Sequence, residues 1–569
     1  MSVNSALSIG RSALAANQAA LEVAGNNLAN AANTGYTRQS ASLASAGSVE
    51  IKPNTFIGAG VKLQAVARQV DEALNARLRA AVGDQRSAET RSDLLSQIET
   101  IHNALGETGL ANRLDNFFNA FSELANNPTD AALRRLAVEQ AVSVAGYVQG
   151  VRGDLTNARV QLDDRLQGQV DQVNSKLEQI GVLNAEIAAA EAGRGNANGL
   201  RDERDRLLAE VSERLDVSTN VLDSGMMNVH LGGISLVAGD QVRQLDVEFT
   251  AGDDGSALAA RLRLDDGTFL NPASGTIGQL VAARENDLLP AVDALDEFAG
   301  AMIFQVNRVV SQGQGEAFFD AATADYAVDD PTLSLTNADA GLDFTPSHGS
   351  FDIHVTQRST GQRQTTRVQV DLDGLGGPDM TLNDLAAQLD AVDRVNASVD
   401  AAGRLRIASD SAEYRFSFSD DSSGALAALG INTLFAGHNA SDIAVNQRVA
   451  DDPKLLATTA NHVAGGNATA LAVAGLRDKA LDDLGGQSLT EMWSAHVEDY
   501  AVRAERASLD ADSASTIVDS LQNQRDAVSA VSIDEESIDL LAFQRAYQGA
   551  ARFITVVDEM MQTILAMAR

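Results

Sequence analysis

A long stretch without proline constrains the fold of this chain more than any other feature. No proline occurs between Pro128 and Pro272, and within this stretch apolar residues recur at intervals of three and four, the spacing of one helix face. The pattern predicts a helix over residues 130–190, about 90 Å long at 1.5 Å per residue, that stops at the glycine-rich residues 193–199. The residues that carry the pattern are Leu155, Leu162, Leu166, Val170, Val173, Leu177, Ile180, Leu183 and Ile187. A helix of this length favours an elongated protein.

Both chain ends carry a heptad pattern, which predicts a helix with a narrow apolar face at each end. The N-terminal pattern consists of Leu7, Leu14, Leu21 and Leu28. The C-terminal pattern consists of Leu540, Phe543, Tyr547, Ala550, Ile554, Val557, Met561 and Ile564. The two end helices are therefore natural partners. The pattern alone does not distinguish pairing within one chain from pairing between copies of the chain.

The regions between the helices contain shorter, strand-like patterns. Residues 228–264 contain glycine and aspartate turns typical of hairpins. Residues 315–440 form a second strand-rich region, with one short helix predicted over 382–392. Residues 40–48 are typical of a loop, and short strands are predicted over 52–70. Together with the long helices, these regions predict an α+β fold, and helical periodicity returns from Leu471 to the C-terminus.

This order of elements predicts three domains, each assembled from segments that are remote in sequence. They are a terminal coiled-coil domain of residues 1–40 and 525–569, a mainly helical rod domain of residues 41–314 and 441–524 with a strand-rich piece at about 228–270, and an inserted strand-rich outer domain of residues 315–440. The chain would run out along the rod, build the outer domain and return.

Composition excludes several classes of protein. The chain has 43 Lys and Arg against 78 Asp and Glu, a net charge of −35, which disfavours binding to nucleic acid or to anionic membranes. It has no cysteine, which excludes disulfides, thiolate catalysis and iron–sulfur clusters. No run of about 18 apolar residues occurs, so we expect no membrane insertion. The first residues also lack the basic and apolar segments of a cleaved secretory signal.

No residue pattern predicts a catalytic, cofactor or metal site. The glycines of residues 193–199 lack the spacing of a nucleotide-binding loop, and the seven histidines include no H-x-x-x-H pair. Residues 371–374 begin like a calcium loop, but Leu375 and Leu382 occupy positions that need liganding oxygens, so we predict a hairpin turn there. We therefore expect a protein that is not an enzyme and that has no cofactor.

Two terminal motifs resemble those of the bacterial flagellar axial proteins, the family of rod, hook and hook-associated proteins. The first motif, over residues 25–39, reads GNNLANAANTGYTRQ and contains Asn26, Asn27, Asn30, Asn33, Thr34, Gly35 and Tyr36. The second reads SIDEE at 532–536, followed by LLAFQRAYQGAAR at 540–552. Within the family, residues 426–446, with ALGIN and SDIAVN, are similar to proteins of the junction between hook and filament.

The resemblance implies a structural protein, without enzyme activity, that joins hook to filament. It implies a ring of about eleven copies that contacts the hook protein and the second junction protein, with the apolar residues of the end helices as the assembly interface. It also implies an extracellular location in the flagellum, export by the flagellar type III apparatus without a cleaved signal peptide, and an export chaperone that binds the C-terminal helix.

Two alternatives remain open from the sequence. The first is another flagellar axial subunit, either the hook protein or the second junction protein, although the long proline-free helix argues against the hook protein, whose bulk is mostly strands. The second is a secreted adhesin or hydrolase whose activity resides in the inserted residues 315–440.

Overall fold

A computed structural model describes residues 3–33, 35–52, 55–102, 109–193, 195–251, 257–375, 377–460 and 465–567. The helices in these residues are α1 (Val3–Ala29), α2 (Glu72–His102), α3 (Leu110–Asn126), α4 (Ala131–Glu191), α5 (Asn198–Ser212), α6 (Gly275–Ala283), α7 (Leu289–Val310), α8 (Leu382–Asp390), α9 (Ala425–Leu429), α10 (Gln447–Asp451), α11 (Ala468–Gly475), α12 (Leu489–Ser529) and α13 (Ile533–Met567). A short π-helical segment, Arg284–Leu288, separates α6 from α7.

The strands are short and form small antiparallel sheets. They are β1 (Gln39–Ser45), β2 (Ser48–Lys52), β3 (Thr55–Gly58), β4 (Val61–Arg68), β5 (Val217–Val221), β6 (Met227–Leu231), β7 (Ile234–Ala238), β8 (Gln241–Val242), β9 (Leu245–Ala251), β10 (Ala257–Leu264), β11 (Phe269–Leu270), β12 (Ala321–Thr323), β13 (Gly349–Gln357), β14 (Arg363–Val370), β15 (Val395–Val399), β16 (Leu405–Ser409), β17 (Tyr414–Ser419), β18 (Phe435–Ala436) and β19 (Ala444–Val445). The sheet orders are β1-β4, β2-β3, β5-β6-β7-β8, β11-β10-β9, β14-β13-β17, β12-β16-β15 and β18-β19. Helices with several small sheets confirm the predicted α+β class.

The long helix that the sequence predicts is α4. It has 61 residues, and of the nine apolar residues that predicted it all are buried except Leu183, which is half-buried. The helix stops where predicted, because Gly193 and Gly195 have positive φ angles of 74° and 108°, which side chains disfavour.

The described residues form two compact units. The first comprises Met1–Asp93, Gln161–Glu285 and Glu505–Arg569, and the second comprises Leu94–Val160 and Asn286–Ala504. The three-domain division stays a prediction.

In the first unit, a buried polar network fixes α4, α5 and the four-stranded sheet to one another. The Asn184 side-chain amide donates to the carbonyl of Met227, at 2.7 Å, and to that of Gly239, at 2.6 Å. Arg204, only 1% exposed, donates to Asn184 Oδ1 at 3.0 Å and to the Gly225 carbonyl at 2.8 Å. These hydrogen bonds satisfy the Asn184 amide and one nitrogen of the Arg204 guanidinium, which lowers the cost of burying them.

In the second unit, the predicted strand-rich insertion has a hydrophobic core of its own. Strand β13 lies between β14 and β17 and is buried along most of its length, with Phe351 and Ile353 fully covered. Phe416 and Phe418 of β17 pack beside them. The predicted short helix is α8, whose N-terminus is fixed by a reciprocal capping box between Thr381 and Asp384.

Two buried asparagines hold the family-like segment 426–446 against α7. Asn307 donates to the carbonyl of Phe435 at 2.8 Å and accepts from the Leu434 and Phe435 backbone amides. Asn432 has a positive φ of 55° and donates to the carbonyls of Ser311 and Gly313. The asparagine side chains replace regular backbone pairing, which explains how residues 430–434 are buried outside any helix or strand.

The structure corrects two predictions of local structure. Residues 40–48 are not a loop, because β1 runs from Gln39 to Ser45 and pairs antiparallel with β4. This pairing comes from a distant strand and overrides the weak strand preference of serine and alanine. The helix predicted from Leu471 onwards is interrupted between α11 and α12, where Gly485 and Gly486 have positive φ angles, and again between α12 and α13.

Candidate assembly site at the chain ends

The two end helices, α1 and α13, pack against each other within the first unit. The buried residues of α1 are nearly all small, namely Ala6, Gly10, Ala16, Ala20, Ala24 and Asn27. At Gly10 an added Cβ would lie 2.7 Å from Ile554 Cγ1 and 3.1 Å from Phe553 Cδ1. The two helices are therefore in close contact at a position where only glycine fits without a shift.

The N-terminal leucines of the predicted apolar face are only partly covered within the chain. Leu7, Leu14 and Leu21 are half-buried, and Leu28 is 37% exposed. The contact with α13 is made instead by the small residues, which we call the covered stripe of α1 (Ala6, Gly10, Ala16, Ala20, Ala24). Small side chains allow a closer helix approach than leucine, so the leucine stripe (Leu7, Leu14, Leu21, Leu28) lies at the side of the contact.

On α13 the predicted positions share the least exposed face of the helix. Val557 is fully buried, Ile564 is 52% exposed, and the remaining positions are half-buried, namely Leu540, Phe543, Tyr547, Ala550, Ile554 and Met561. We call these eight residues the covered stripe of α13. The exposure of Ile564 shows that the cover ends before the last turn of the helix.

A second apolar stripe runs along α13 beside the first. Its large residues Phe553, Val556, Met560 and Met567 follow one another at intervals of three, four and seven. Their exposed fractions are 43%, 52%, 47% and 83%, respectively. We call them the open stripe of α13, because within the chain little covers them. Contiguous exposed apolar side chains of this kind mark an interaction surface.

The N-terminal motif forms a compact turn after α1. The Tyr36 hydroxyl donates to Asn27 Oδ1 at 2.7 Å, and the same oxygen accepts from the Gln39 backbone amide at 3.1 Å. The Asn27 side-chain amide donates to the Gln39 carbonyl at 2.8 Å. Burial, followed by the negative charges of Asp202 and Glu536, raises the pKa of Tyr36 to about 12. Tyr36 is therefore a neutral donor that closes the turn.

The other motif asparagines stabilise the same turn from outside. Asn26 donates to the Tyr36 hydroxyl at 3.3 Å, and Asn30 donates to the Asn26 carbonyl at 2.9 Å. Asn33 Oδ1 accepts from the Gly35 backbone amide at 3.2 Å. Thr34 lies outside the described residues.

An ion pair joins the two terminal motifs across the full length of the sequence. Glu536, 2% exposed, accepts from the Asn27 side chain at 3.0 Å and from Arg38 Nε at 2.7 Å. Arg38 also contacts Glu535 at 2.8 Å and donates its backbone amide to the Ser529 carbonyl at 3.0 Å. Burial lowers the pKa of Arg38, but hydrogen bonding to Glu536 and the charges of both glutamates outweigh it and raise the pKa. The chain ends are thus locked together by a satisfied, charged contact.

A neighbouring ion pair attaches the turn to the body of the first unit. Arg68, on β4, contacts Asp202 at 2.8 Å and Asp205 at 2.7 Å. Asp202 also accepts from the Thr37 backbone amide at 3.4 Å. The sequence analysis did not assign a role to Arg38, Glu536 or these residues. Arg38 and Glu536 lie inside the two family-like motifs, which is the one sequence signal that points to them.

Comparison with known proteins places this geometry in a family. Three family models match: "Flagellar hook-associated protein FlgK helical domain" over residues 95–319, "Flagellar basal body rod FlgEFG protein C-terminal" over 522–567 and "Flagella basal body rod protein" over 7–37. Flagellar hook-associated protein 1 of Escherichia coli strain K12 is 26% identical, over 97% of this chain and 98% of that protein. The protein of the same name from Bacillus subtilis strain 168 is 25% identical, over 98% of this chain and 97% of that protein.

The chain is therefore similar to flagellar hook-associated protein 1 over nearly its full length. The two rod-protein models match the regions of α1 and α13, so the ends of the chain are the part that resembles other axial proteins. A solved structure, that of the flagellar hook junction protein FlgK from Burkholderia pseudomallei, matches with a TM-score of 0.50 and 19% identity over 80% of this chain and all of that chain, which supports the fold.

The comparisons bear on one alternative left open by the sequence, that of another flagellar axial subunit. The near-full-length matches are to hook-associated protein 1, and they do not favour the hook protein or the second junction protein. Among the described helices, none combines the length and the apolar character that crossing a bilayer requires.

Proposed function

We propose that this chain is the structural subunit that joins hook to filament in the bacterial flagellum, and that α1 and α13 form its assembly interface. The observation that carries the proposal is the pair of adjacent apolar stripes on each end helix. On α1 the small residues are buried, with Gly10 against α13, while the leucine stripe is half-buried or exposed. On α13 the covered stripe is the less exposed one, and Phe553, beside Gly10, is the member of the open stripe that lies against α1.

A helix with two apolar stripes requires more than one neighbouring helix to bury them. A helix with one apolar seam is satisfied by one partner, whereas a helix with two adjacent seams needs a second neighbour. Burying a phenylalanine or valine side chain contributes about 1.5–3 kcal/mol. The open stripe therefore supplies enough free energy to bind neighbouring copies, and closure of the repeated contact gives a ring. We propose about eleven copies per ring, as the family resemblance implies.

Charge favours association at the ends and not elsewhere. Residues 1–39 contain two arginines and one glutamate, and residues 525–569 contain four arginines and seven acidic residues, whereas the whole chain carries −35. Like charges repel when copies approach closely, so a nearly neutral surface can pack more densely than an acidic one. We propose that the other faces of the ring contact the hook protein on one side and the second junction protein on the other.

The proposal includes how the subunit reaches its place. We propose that it is exported by the flagellar type III apparatus to the extracellular flagellum without a cleaved signal peptide, and that an export chaperone binds α13. The open stripe supports this role, because an uncovered apolar face would otherwise associate before export. The chain would act as a structural protein and not as an enzyme.

A single charge on the open stripe tests the proposal. Val556→Asp adds a carboxylate to a surface that the proposal requires to become buried. Val556 does not belong to the covered stripe, so the substitution tests the open stripe alone. Gln548→Asp is the matched control, because Gln548 is also exposed on α13 but lies off both stripes. We expect cells with Val556→Asp to secrete the subunit into the medium and to carry hooks without filaments, as seen by electron microscopy.

The two readouts separate assembly from export. Secreted but unincorporated Val556→Asp subunit supports the assembly interface, and Gln548→Asp cells should swim normally. Leu14→Asp, on the leucine stripe, should give the same defect. Normal filaments on Val556→Asp cells would contradict the proposed interface, and retention of the variant inside the cell would assign the open stripe to export instead.

A further inference from the structure

A histidine and two aspartates converge at one end of the inserted sheet. Strands β13 and β14 are antiparallel, and the register pairs Gly349 with Val370 as the last pair of the ladder. The next residues outward are His348 on one strand and Asp371 on the other, so the sheet itself places them opposite each other. Asp373 follows Asp371 in the adjoining turn. One ligand atom from each of the three side chains lies within 4.8 Å of the others.

The two carboxylates face the same ring nitrogen of His348. His348 Nδ1 lies 3.3 Å from an oxygen of Asp371 and 3.9 Å from an oxygen of Asp373. The Leu372 backbone amide donates to this nitrogen across 3.3 Å. The single lone pair of Nδ1 accepts this hydrogen bond, so a cation would bind in place of the Leu372 amide, where its charge would also neutralise the two carboxylates.

The turn holds one of these ligands in place. One oxygen of Asp373 accepts from the Leu375 backbone amide at 2.8 Å, while its other oxygen faces His348. The Gly374 backbone amide is bound by Asp379 at 2.9 Å. The side chains of the three ligands are about half exposed, so an ion reaches them directly from solvent.

We propose that His348, Asp371 and Asp373 bind a divalent transition-metal cation of the Zn²⁺ type. One imidazole nitrogen and two carboxylate oxygens suit Zn²⁺, with water in the remaining position. Calcium instead takes six to eight oxygen ligands. The calcium-loop comparison of residues 371–374 missed this site, because its third ligand comes from the partner strand and not from the loop.

A second histidine of the insertion provides a built-in contrast. His438 also lies between two aspartates, but Asp442 is 2.8 Å from Nδ1 whereas Asp343 is 3.3 Å from Nε2. The two nitrogens point to opposite sides of the ring, so one ion cannot bind both carboxylates and the ring. His438→Asn therefore removes an exposed histidine with the same neighbours and no convergent site.

Isothermal titration of the full-length chain with Zn²⁺ at pH 7.5 tests the site. We expect His348→Asn, Asp371→Asn and Asp373→Asn each to weaken Zn²⁺ binding at least tenfold, and His438→Asn to leave it unchanged. Binding should weaken as the pH falls, because the imidazole must be unprotonated to bind metal. Co²⁺, which reports ligand geometry by its visible absorption, should give a band that His348→Asn abolishes.

Three results would overturn the site. One is a wild-type chain that takes up no Zn²⁺ at a hundred micromolar, and another is an equal loss in His348→Asn and His438→Asn. The third is Ca²⁺ or Mg²⁺ binding that survives His348→Asn while Zn²⁺ shows no preference, because this would reduce the site to a cluster of surface carboxylates. The ligands are exposed, so circular dichroism should show each variant folded as the wild type.

Discussion

The chain ends and the inserted strand-rich region bury their apolar residues in opposite ways. The insertion closes a core of large side chains around β13, in which Phe351, Phe416 and Phe418 are no more than 1% exposed. At the chain ends, α1 contributes mainly alanine and glycine to the contact, and large apolar residues such as Phe553 and Val556 stay about half exposed. The first region is complete by itself, and the second is not.

This difference indicates which region is built for folding and which for assembly. A closed core makes the free energy of folding independent of other subunits. A pair of helices joined by small residues and one ion pair gains less from its own contact, because most helix stability comes from packing an apolar face. The remaining apolar surface becomes useful when a neighbour covers it. The predictions below test this contrast from the largest expected effect to the smallest.

The same truncation in both regions should have very different costs. Phe416→Ala removes a fully buried ring from the insertion and should lower the free energy of unfolding of that region by about 4 kcal/mol. Phe553→Ala removes a ring that is 43% exposed at the chain ends and should cost less than about 1 kcal/mol in the isolated subunit. Urea titration with hydrogen exchange resolves the two regions. Equal losses would contradict the contrast.

The ion pair at the chain ends should be the strongest single contact there. Glu536→Gln leaves the Arg38 and Asn27 donors facing a neutral amide in a buried place, and should lower the stability of the α1–α13 pair by about 3 kcal/mol. Glu535→Gln is the matched control, because Glu535 binds the same arginine with its side chain 62% exposed, and should cost less than about 1 kcal/mol. Hydrogen exchange in α1 measures both. A similar cost for the two variants would show that burial of Glu536 is unimportant.

Much of the architecture was predictable, because it depends on local periodicity. The spacing of apolar residues predicted α4 and its end at the glycines. The change from helical spacing to the alternation typical of strands located the insertion. The leucine stripe stays a predicted interface, and the structure buries the small residues of α1 more deeply than these leucines, an order that hydrophobicity alone would reverse. Which stripe faces α13 depends on how closely the helices approach, and sequence spacing does not contain that distance.

Other contacts were not predictable, because their partners are remote in sequence. Glu536 and Arg38 are 498 positions apart, and β1 forms only because β4 pairs with it. Nothing in the local sequence around Glu536, Arg38 or β1 indicates these contacts. The family-like motifs contain both members of the ion pair, so the resemblance located the residues but gave no reason for them. The reason is the contact between the two ends.

Acid should weaken the interior of the second unit. His102 is fully buried, in ring contact with Trp493, His496 and Tyr500. Burial, followed by the charge of His496, lowers the pKa of His102 to about 4, and burial also lowers the pKa of His496. The charge of Asp499 raises the pKa of His496 and that of Arg503 lowers it, so their effects oppose each other.

The sign follows from proton uptake by the unfolded chain. An unfolded histidine titrates near pH 6.5, so between pH 6.5 and 4 the unfolded state takes up a proton that the folded state does not, and stability falls with pH. From pH 7.5 to 5 the loss from His102 should be about 2 kcal/mol. His102→Leu should remove much of this dependence, whereas His438→Leu, at an exposed position, should not. Urea titration of the second unit at pH 7.5 and pH 5 measures this change in the free energy of unfolding. If the change were the same in His102→Leu and His438→Leu, His102 would be excluded as its cause.

Two glycines of α1 should respond to the same substitution with opposite signs. An added Cβ at Gly10 would meet Ile554 at 2.7 Å, whereas at Gly25 nothing lies within 4 Å. Gly10→Ala should therefore destabilise the helix pair by about 1 kcal/mol through overpacking, and Gly25→Ala should stabilise it by up to about 1 kcal/mol through helix propensity. Hydrogen exchange in α1 reports each change. If both alanines stabilised the pair, α1 and α13 would not be in close contact in solution, and the covered stripe would be free to bind a neighbouring subunit like the open one.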